Sequence, residues 1–250
     1  RDGFGPIPAD RWPHELFYSE SRRATDKSYA PHGAFIDDVH DFPALHLGIP
    51  PRRVEVMDPQ QRLAIEFGLR AIHDAGATPD QMPRRTGVFM GVTANEFRAT
   101  LSSRVTAAMM AAGMLGEVDE STAETVAKAV SRVVPPRPFH APGALVNMVA
   151  AAVAQELDLH GPAYTVDAAC ASALMAVSDA VAMLRTGQID AALAGGVYLQ
   201  LSPENYIAFS RIGAMSASGY CRPFDARADG FVQGDGVGMA VMKRLDDAQR

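Results

Sequence analysis

Apolar positions along this chain gather into a few dense runs, separated by polar stretches rich in proline and glycine. Thr86 to Val92 (Thr-Gly-Val-Phe-Met-Gly-Val) is one such run, and its glycine boundaries predict a strand buried on both faces. Tyr164 to Val166 predicts a second strand and Asp190 to Val197 a third. Between these two, Ala171, Leu174, Met175, Val177, Val181 and Leu184 predict a helix, which Arg185-Thr-Gly187 ends. Strand, helix and strand in that order, with a long crossover, imply parallel pairing in a right-handed unit. Upstream, Asp58 caps a helix whose first position is Pro59, with Leu63, Phe67, Ala71 and Ala75 on its apolar face and Gly76 at its end. Further helical patterns cover Asn95 to Ala112, an acidic stretch from Val118 to Val133, Pro142 to Leu157, and a short piece from Pro203 to Phe209. Pro135, Pro136 and Pro138 break the chain before the third of these.

Several positions within the pattern invite a specific reading. Met109, Met110 and Met114 lie at helical spacing and are read as core filling, ahead of the alternative that these flexible side chains shape a hydrophobic pocket. Asn147 interrupts an apolar face and needs hydrogen-bond partners if buried. Residues 1–57 have little sustained periodicity and read as a loop-rich lobe, with a short helical piece at Ala44 to Leu47; Trp12, Phe17, Tyr18, Phe35 and Phe42 serve as its packing anchors. Residues 58–250 read as an α/β core. Gly230 to Gly238 lacks the Lys-Ser/Thr of a phosphate-binding loop and is read as a tight turn leading into a strand through Met242. Asp235 is the candidate in that turn, orienting a cationic partner supplied by a second half of the fold.

The candidate chemistry concentrates at Cys170, where the Tyr164–Val166 strand gives way to the alanine-rich helix. Unpaired N–H groups and the helix dipole at such a junction favour a thiolate. A sharp strand–nucleophile–helix turn also lifts the side chain clear of the sheet and offers N–H groups to a developing oxyanion. Ala168, Ala169, Ala171 and Ala173 suit a turn in which backbones approach closely. The competing reading is that an isolated cysteine in an apolar helix simply packs. Cys221 lies in a loop and is read as inert, and the turn residue His160 is assigned no role.

Three further strings lie in order around Cys170: Asp58-Pro-Gln-Gln-Arg62; Asn147-Met-Val-Ala150 followed by Leu159-His-Gly-Pro162; and the run from Cys221 to Gly238 (Cys-Arg-Pro-Phe-Asp-Ala-Arg-Ala-Asp-Gly-Phe-Val-Gln-Gly-Asp-Gly-Val-Gly). Together with Val166-Asp-Ala-Ala-Cys-Ala-Ser172 they resemble the N-terminal half of the β-ketoacyl synthase family. Pro8-Ala-Asp-Arg-Trp12 and the Asp58–Arg62 string are similar to ketosynthase domains of type I polyketide synthases, and the Asp-Ala-Ala-Cys-Ala-Ser wording to iterative polyketide or polyunsaturated-fatty-acid-type synthases. Structure is nevertheless the first reading of the Asp58–Arg62 string, and Ala151-Ala152 stand where many relatives carry Arg or His.

The resemblance implies a thiolase-like α/β fold (αβαβα), of which this chain is the N-terminal half without the first strand. It implies a decarboxylative Claisen condensation in which Cys170 becomes an acyl-enzyme and a malonyl-type extender arrives on the phosphopantetheine of an acyl carrier protein. It implies a homodimer, and an oxyanion hole that includes the Cys170 N–H. It implies that no cofactor is bound directly and that no metal is required. The family's two catalytic histidines and lysine lie further along its sequence, whereas all seven histidines here precede Cys170. The chain is therefore expected to be part of a longer protein and, alone, to stop at the acyl-enzyme. Two other readings compete: a non-catalytic ketosynthase-like dimerisation or chain-length subunit, which normally replaces the nucleophile, and a thiolase using coenzyme A, which fits the Asp58–Arg62 and Asp229-Gly-Phe231 strings poorly.

Composition narrows the setting. A 48% apolar content over 250 residues supports a sizeable core. A net charge of −6 without a basic stripe argues against nucleic acid. Two cysteines make no disulfide framework, no Cys/His cluster has zinc-ligand spacing, and no run reaches membrane-spanning length. A cytoplasmic location is expected.

Overall fold

The computed structural model describes residues 3–249. Along the chain the elements run β1 (Gly5–Pro6), α1 (His14–Phe17), β2 (His32–Gly33), α2 (Pro51–Val54), α3 (Pro59–Asp74), β3 (Thr86–Gly91), α4 (Glu96–Ala111), α5 (Glu120–Val133), α6 (His140–Ala144), α7 (Met148–Glu156), β4 (Ala163–Val166), α8 (Ser172–Arg185), β5 (Ala191–Tyr198), α9 (Glu204–Arg211), β6 (Gly236–Lys243) and α10 (Leu245–Ala248). Two compact units divide the chain: residues 1–40 with 197–237, and residues 41–196 with 238–250.

The first unit is held by aromatic packing. Trp12, Tyr29, Tyr206 and Met215 are buried, with Phe17, Phe35 and Phe209 packed against them. Trp12 meets Tyr206 and Phe35 edge-on, with centroids 5.3 and 5.9 Å apart, an arrangement that suits the ring quadrupoles. Residues 44–47 form hydrogen-bonded turns rather than the predicted helical piece.

The second unit is built on a sheet of order β4-β3-β5-β6. β3 runs parallel to both β4 and β5, with Phe89 opposite Tyr164 on one side and Ala194 on the other. The predicted strand–helix–strand unit is present, but β4 and β5 do not pair directly: β3 lies between them, and the α8 crossover spans it. Every residue of β3 is buried, as its unbroken apolar run requires. Ala176, Ala180 and Leu184 of α8 recur every four residues and pack on Phe89, Ile189, Ala192 and Ala194. Arg244 donates to the Leu184 and Ile189 carbonyls at 3.1 and 2.8 Å and pairs with Asp190, which Arg85 also engages.

The Asp58–Arg62 string proves structural. Asp58 caps α3, accepting from the Gln60 N–H at 2.8 Å, while its own N–H donates to the Gly143 carbonyl at 2.9 Å. Gln60 reaches the Ala94 carbonyl at 2.9 Å, Gln61 reaches those of Pro142 and Gly143 at 3.1 Å, and Arg62 wraps back to that of Met57. These bonds explain a departure from the sequence reading. The helix predicted from Pro142 to Leu157 is split into α6 and α7, with Leu145 extended. Carbonyls that would accept from the next helical turn are instead taken sideways by Gln61, and that of Ala144 by Asn95 at 2.8 Å. Gly143 suits this crossing, because a Cβ there would fall on the Val56 carbonyl group. Asn147 becomes the exposed N-cap position of α7, so it carries no buried polar demand.

The methionines depart as well. Met110 is 37% and Met114 68% exposed, and Met109 is only half-buried. α4 packs chiefly on α5, and of the apolar side chains on these two helices only the small ones of Ala107 and Ala123 are buried.

Candidate active site

Cys170 is exposed at the turn between β4 and α8. The chain leaves the sheet at Val166, whose carbonyl accepts from the Val92 N–H at 3.1 Å. It then turns within a few residues. Asp167 Oδ1 accepts from the Ala169 N–H at 3.0 Å, and the Ala171 N–H returns to the Ala168 carbonyl at 3.1 Å. Ala169, immediately before the cysteine, has φ +50°, a left-handed conformation that disfavours a residue with a Cβ. α8 begins at Ser172 with Ala171 as its N-cap, so Cys170 stands one residue ahead of the cap rather than within the helix. Its thiol is thus presented to solvent by a strained turn, and the competing packing assignment does not hold.

Beneath the turn the packing is backbone against backbone. Gly91 ends β3 under the first turn of α8, where an added Cβ would lie 2.5 Å from the Ser172 carbonyl carbon and 2.8 Å from the Ala173 Cα, and closer still to the Ala173 nitrogen. Its partner Gly196 on β5 faces the Ala173 methyl in the same way, at 2.9 Å. Two glycines on adjacent strands form the floor on which this helix start rests, and the alanines around Cys170 match it from above. The sequence marks Gly91 only as a boundary of its strand and gives Gly196 no such role, although the two lie opposite each other near the ends of their apolar runs.

One face of α8 is buried and the other open: Ser172 is 4% exposed, Leu174 74% and Met175 42%. Tyr164 packs edge-on to Phe89 with centroids 5.1 Å apart and donates to Asp179 Oδ2 at 3.1 Å. Burial first, then Asp179, pushes its hydroxyl above the ordinary tyrosine range. This contact ties β4 to the middle of α8 behind the turn.

Asp235 belongs to the other unit, and its expected role is corrected. The cation it meets is Arg11, within this chain, at 2.8 Å. Asp235 also accepts from the Gln200 N–H at 2.8 Å and the Ile36 N–H at 3.1 Å, while Arg11 donates to the carbonyls of Gln200 and Ile36. Both side chains are almost fully buried, and burial pushes the Asp235 carboxyl up while these donors and Arg11 pull against it. The pair locks the ends of the first unit together and is structural. Cys221 is exposed in its loop, and His160 pairs at the surface with Asp158 at 3.1 Å.

Among the described residues no group of His, Cys, Asp and Glu is arranged to hold a metal ion. A cavity of about 440 Å³ lies by Arg52, Glu55, Pro135 to Pro138 and Phe139; none of the residues around Cys170 lines it, so the chemistry is assigned from the turn and not from that hollow.

Parallel strands β4, β3 and β5 leading to an exposed cysteine on a strand–turn–helix junction are the arrangement expected of the thiolase-like class. The Beta-ketoacyl synthase, N-terminal domain family matches residues 1–248, and the chain belongs to that family. Over 242 residues, 97% of its length, it is 36% identical to the mycocerosic acid synthase-like polyketide synthase of Mycobacterium tuberculosis, of which it spans 10%. It is 35% identical over its whole length to polyketide synthase PksN of Bacillus subtilis, of which it spans 4%. Among solved structures it superposes on the ketosynthase from module 6 of the bacillaene synthase of Bacillus subtilis with a TM-score of 0.79 and 31% identity, covering 100% of this chain and 36% of that one. For the oxazolomycin ketosynthase domain OzmH KS7 of Streptomyces albus the values are 0.83 and 27%, covering 100% of this chain and 38% of that one. The thiolase-like fold and the polyketide-ketosynthase kinship expected from the motifs therefore hold.

Proposed function

We propose that this chain is the nucleophile-bearing part of a polyketide-type condensing enzyme, with Cys170 as the catalytic residue. The Cys170 thiolate attacks the carbonyl carbon of an acyl thioester; the pantetheine thiol leaves and an acyl-cysteine remains. A malonyl group on the phosphopantetheine of an acyl carrier protein then loses carbon dioxide. Its enolate carbon attacks the acyl carbon, and the Cys170 sulfur departs as thiolate. Sulfur suits both steps because it is a good nucleophile and a good leaving group near neutral pH. The observation that carries this reading is the exposed Cys170 on its left-handed turn, in a chain matched to the family over residues 1–248.

The second step needs donors for the enolate, and no histidine follows Cys170 in these 250 residues. The chain alone is therefore read as competent for acylation and not for condensation, with acyl carrier protein and acyl and malonyl thioesters as partners of the whole enzyme. β4 at the sheet edge, with Leu174 and Met175 exposed on the helix that follows, supports a homodimer. A cytoplasmic location accords with acyl-carrier chemistry, and no helix among the described residues is long and apolar enough to cross a membrane.

Incubating the chain with an acyl pantetheine thioester and radiolabelled malonyl-carrier protein tests both statements. Acylated protein without sustained carbon dioxide release is expected. Continuing malonyl-dependent turnover overturns the competence limit, and no acylation at all favours the non-catalytic alternative.

A further inference from the structure

Ser172 is the residue around which the turn closes. It is 4% exposed, and its hydroxyl makes two short hydrogen bonds into the segment just before the cysteine. It donates to the Ala169 carbonyl at 2.6 Å and accepts from the Ala168 N–H at 2.8 Å. The Ser172 backbone N–H also donates to the Ala169 carbonyl, at 3.1 Å. One residue thus holds the Ala168 N–H and the Ala169 carbonyl on either side of the peptide unit joining the two, and Ala169 is the position with φ +50°.

A non-glycine residue in that region relaxes toward right-handed or extended backbone unless its surroundings hold it there. Relaxation at residue 169 would rotate the next residue, which is Cys170. We propose that Ser172 is a positioning residue for acyl transfer: its buried hydroxyl clamps the left-handed turn at Ala169 and so fixes the direction in which the Cys170 sulfur meets an incoming thioester. The inference rests on the reading of Cys170 as the acylated nucleophile. It assigns Ser172 no proton transfer and no contact with substrate.

The distinction between aim and mere exposure gives the test. Alkylation of Cys170 by iodoacetamide needs an accessible thiol, whereas attack on a thioester carbonyl also needs an aligned one. In the Ser172→Ala variant, acylation of Cys170 by a hexanoyl N-acetylcysteamine thioester is expected to slow about 10- to 100-fold, the scale of a misplacement near 1 Å. Alkylation should stay within about threefold of wild type, since it follows exposure and thiolate character. Ala169→Gly in the Ser172→Ala background should recover most of the acylation rate, because glycine holds the left-handed conformation without a clamp.

If wild type itself is not acylated at Cys170, the functional reading fails before this one is reached. If wild type is acylated and Ser172→Ala matches it, the positioning role is overturned. Should Ser172→Ala lose its fold by circular dichroism, the double variant decides: recovered folding and acylation support the clamp, and a double variant that stays unfolded or slow overturns it, leaving Ser172 as packing.

Discussion

Gly91→Ala probes the floor beneath the Cys170 turn. The added methyl would lie 2.5 Å from the Ser172 carbonyl carbon and 2.8 Å from the Ala173 Cα, whereas ordinary contact begins at 3.4 Å. Relief requires a shift of about 1 Å, and the atoms in the way are main chain, which cannot rotate aside as a side chain does. β3 is fully buried and held by a strand on each side, so the movement falls on α8 and the turn before it. Overpacking of this kind costs roughly 1–3 kcal/mol, partly offset by about 0.4–1 kcal/mol from the smaller conformational freedom of alanine in the unfolded chain. A net loss of about 1–2 kcal/mol is expected, together with an acylation rate reduced on the order of a hundredfold by the displaced sulfur. Chemical denaturation and the rate of acyl transfer to Cys170 measure the two effects. Gly5→Ala serves as control, since nothing lies within 4 Å of its added Cβ. A Gly91→Ala protein with wild-type stability and wild-type acylation would refute the close-approach reasoning.

Other outcomes follow from the buried polar groups. Asp235→Ala leaves Arg11 buried without its carboxylate and is expected to cost about 3–5 kcal/mol in urea unfolding; a loss below about 1 kcal/mol would show that the pair is more solvated than its burial implies. Gln61→Leu removes donors to the Pro142 and Gly143 carbonyls and should cost about 1–3 kcal/mol, with faster amide exchange in α6; unchanged exchange there contradicts the sideways capture of those carbonyls. Asp58 is fully buried, and burial first of all raises its carboxyl to about 6 against the backbone and side-chain hydrogen bonds of Gln60 and the Arg62 charge. Since this value lies above the ordinary 3.8, the protonated form favours the folded state: the contribution is complete below about 3.8 and is lost as pH rises through about 6. The swing is roughly 3 kcal/mol, and Asp58→Asn, which keeps the cap, should remove it from the pH–stability curve; an identical curve for the variant counts against the assignment.

Much of this molecule is legible in residue order, and the exceptions share a cause. β3, α3 and α8 were readable because each carries its own periodicity and its own end signals: the glycine-bounded run, Asp58-Pro59 at one helix start, Gly187 after another. The break between α6 and α7 was not, since it depends on Gln61, some eighty residues away, taking carbonyls the helix would have used. The methionines of α4 misled because helical spacing does not reveal whether a face meets a sheet or only a neighbouring helix. Asp235 stands out in its glycine-rich turn, but its partner Arg11 lies at the far end of the chain, within the Pro8–Trp12 string, and no local pattern links the two. At the candidate site, the strand–helix junction and Cys170 are legible in the sequence, while the means of holding the turn are not. Ser172 looked like one more small residue in an alanine-rich string, and its role follows from the left-handed φ of its neighbour, which no pattern of residues announces.

Peptide mapping of the chain after brief treatment with a hexanoyl thioester bears most directly on Cys170 as the acyl acceptor. Close to one hexanoyl group per chain, located on Cys170 and absent from the Cys170→Ala protein, is the expected result. Equal labelling of Cys170 and the loop residue Cys221, or none on either, would contradict it.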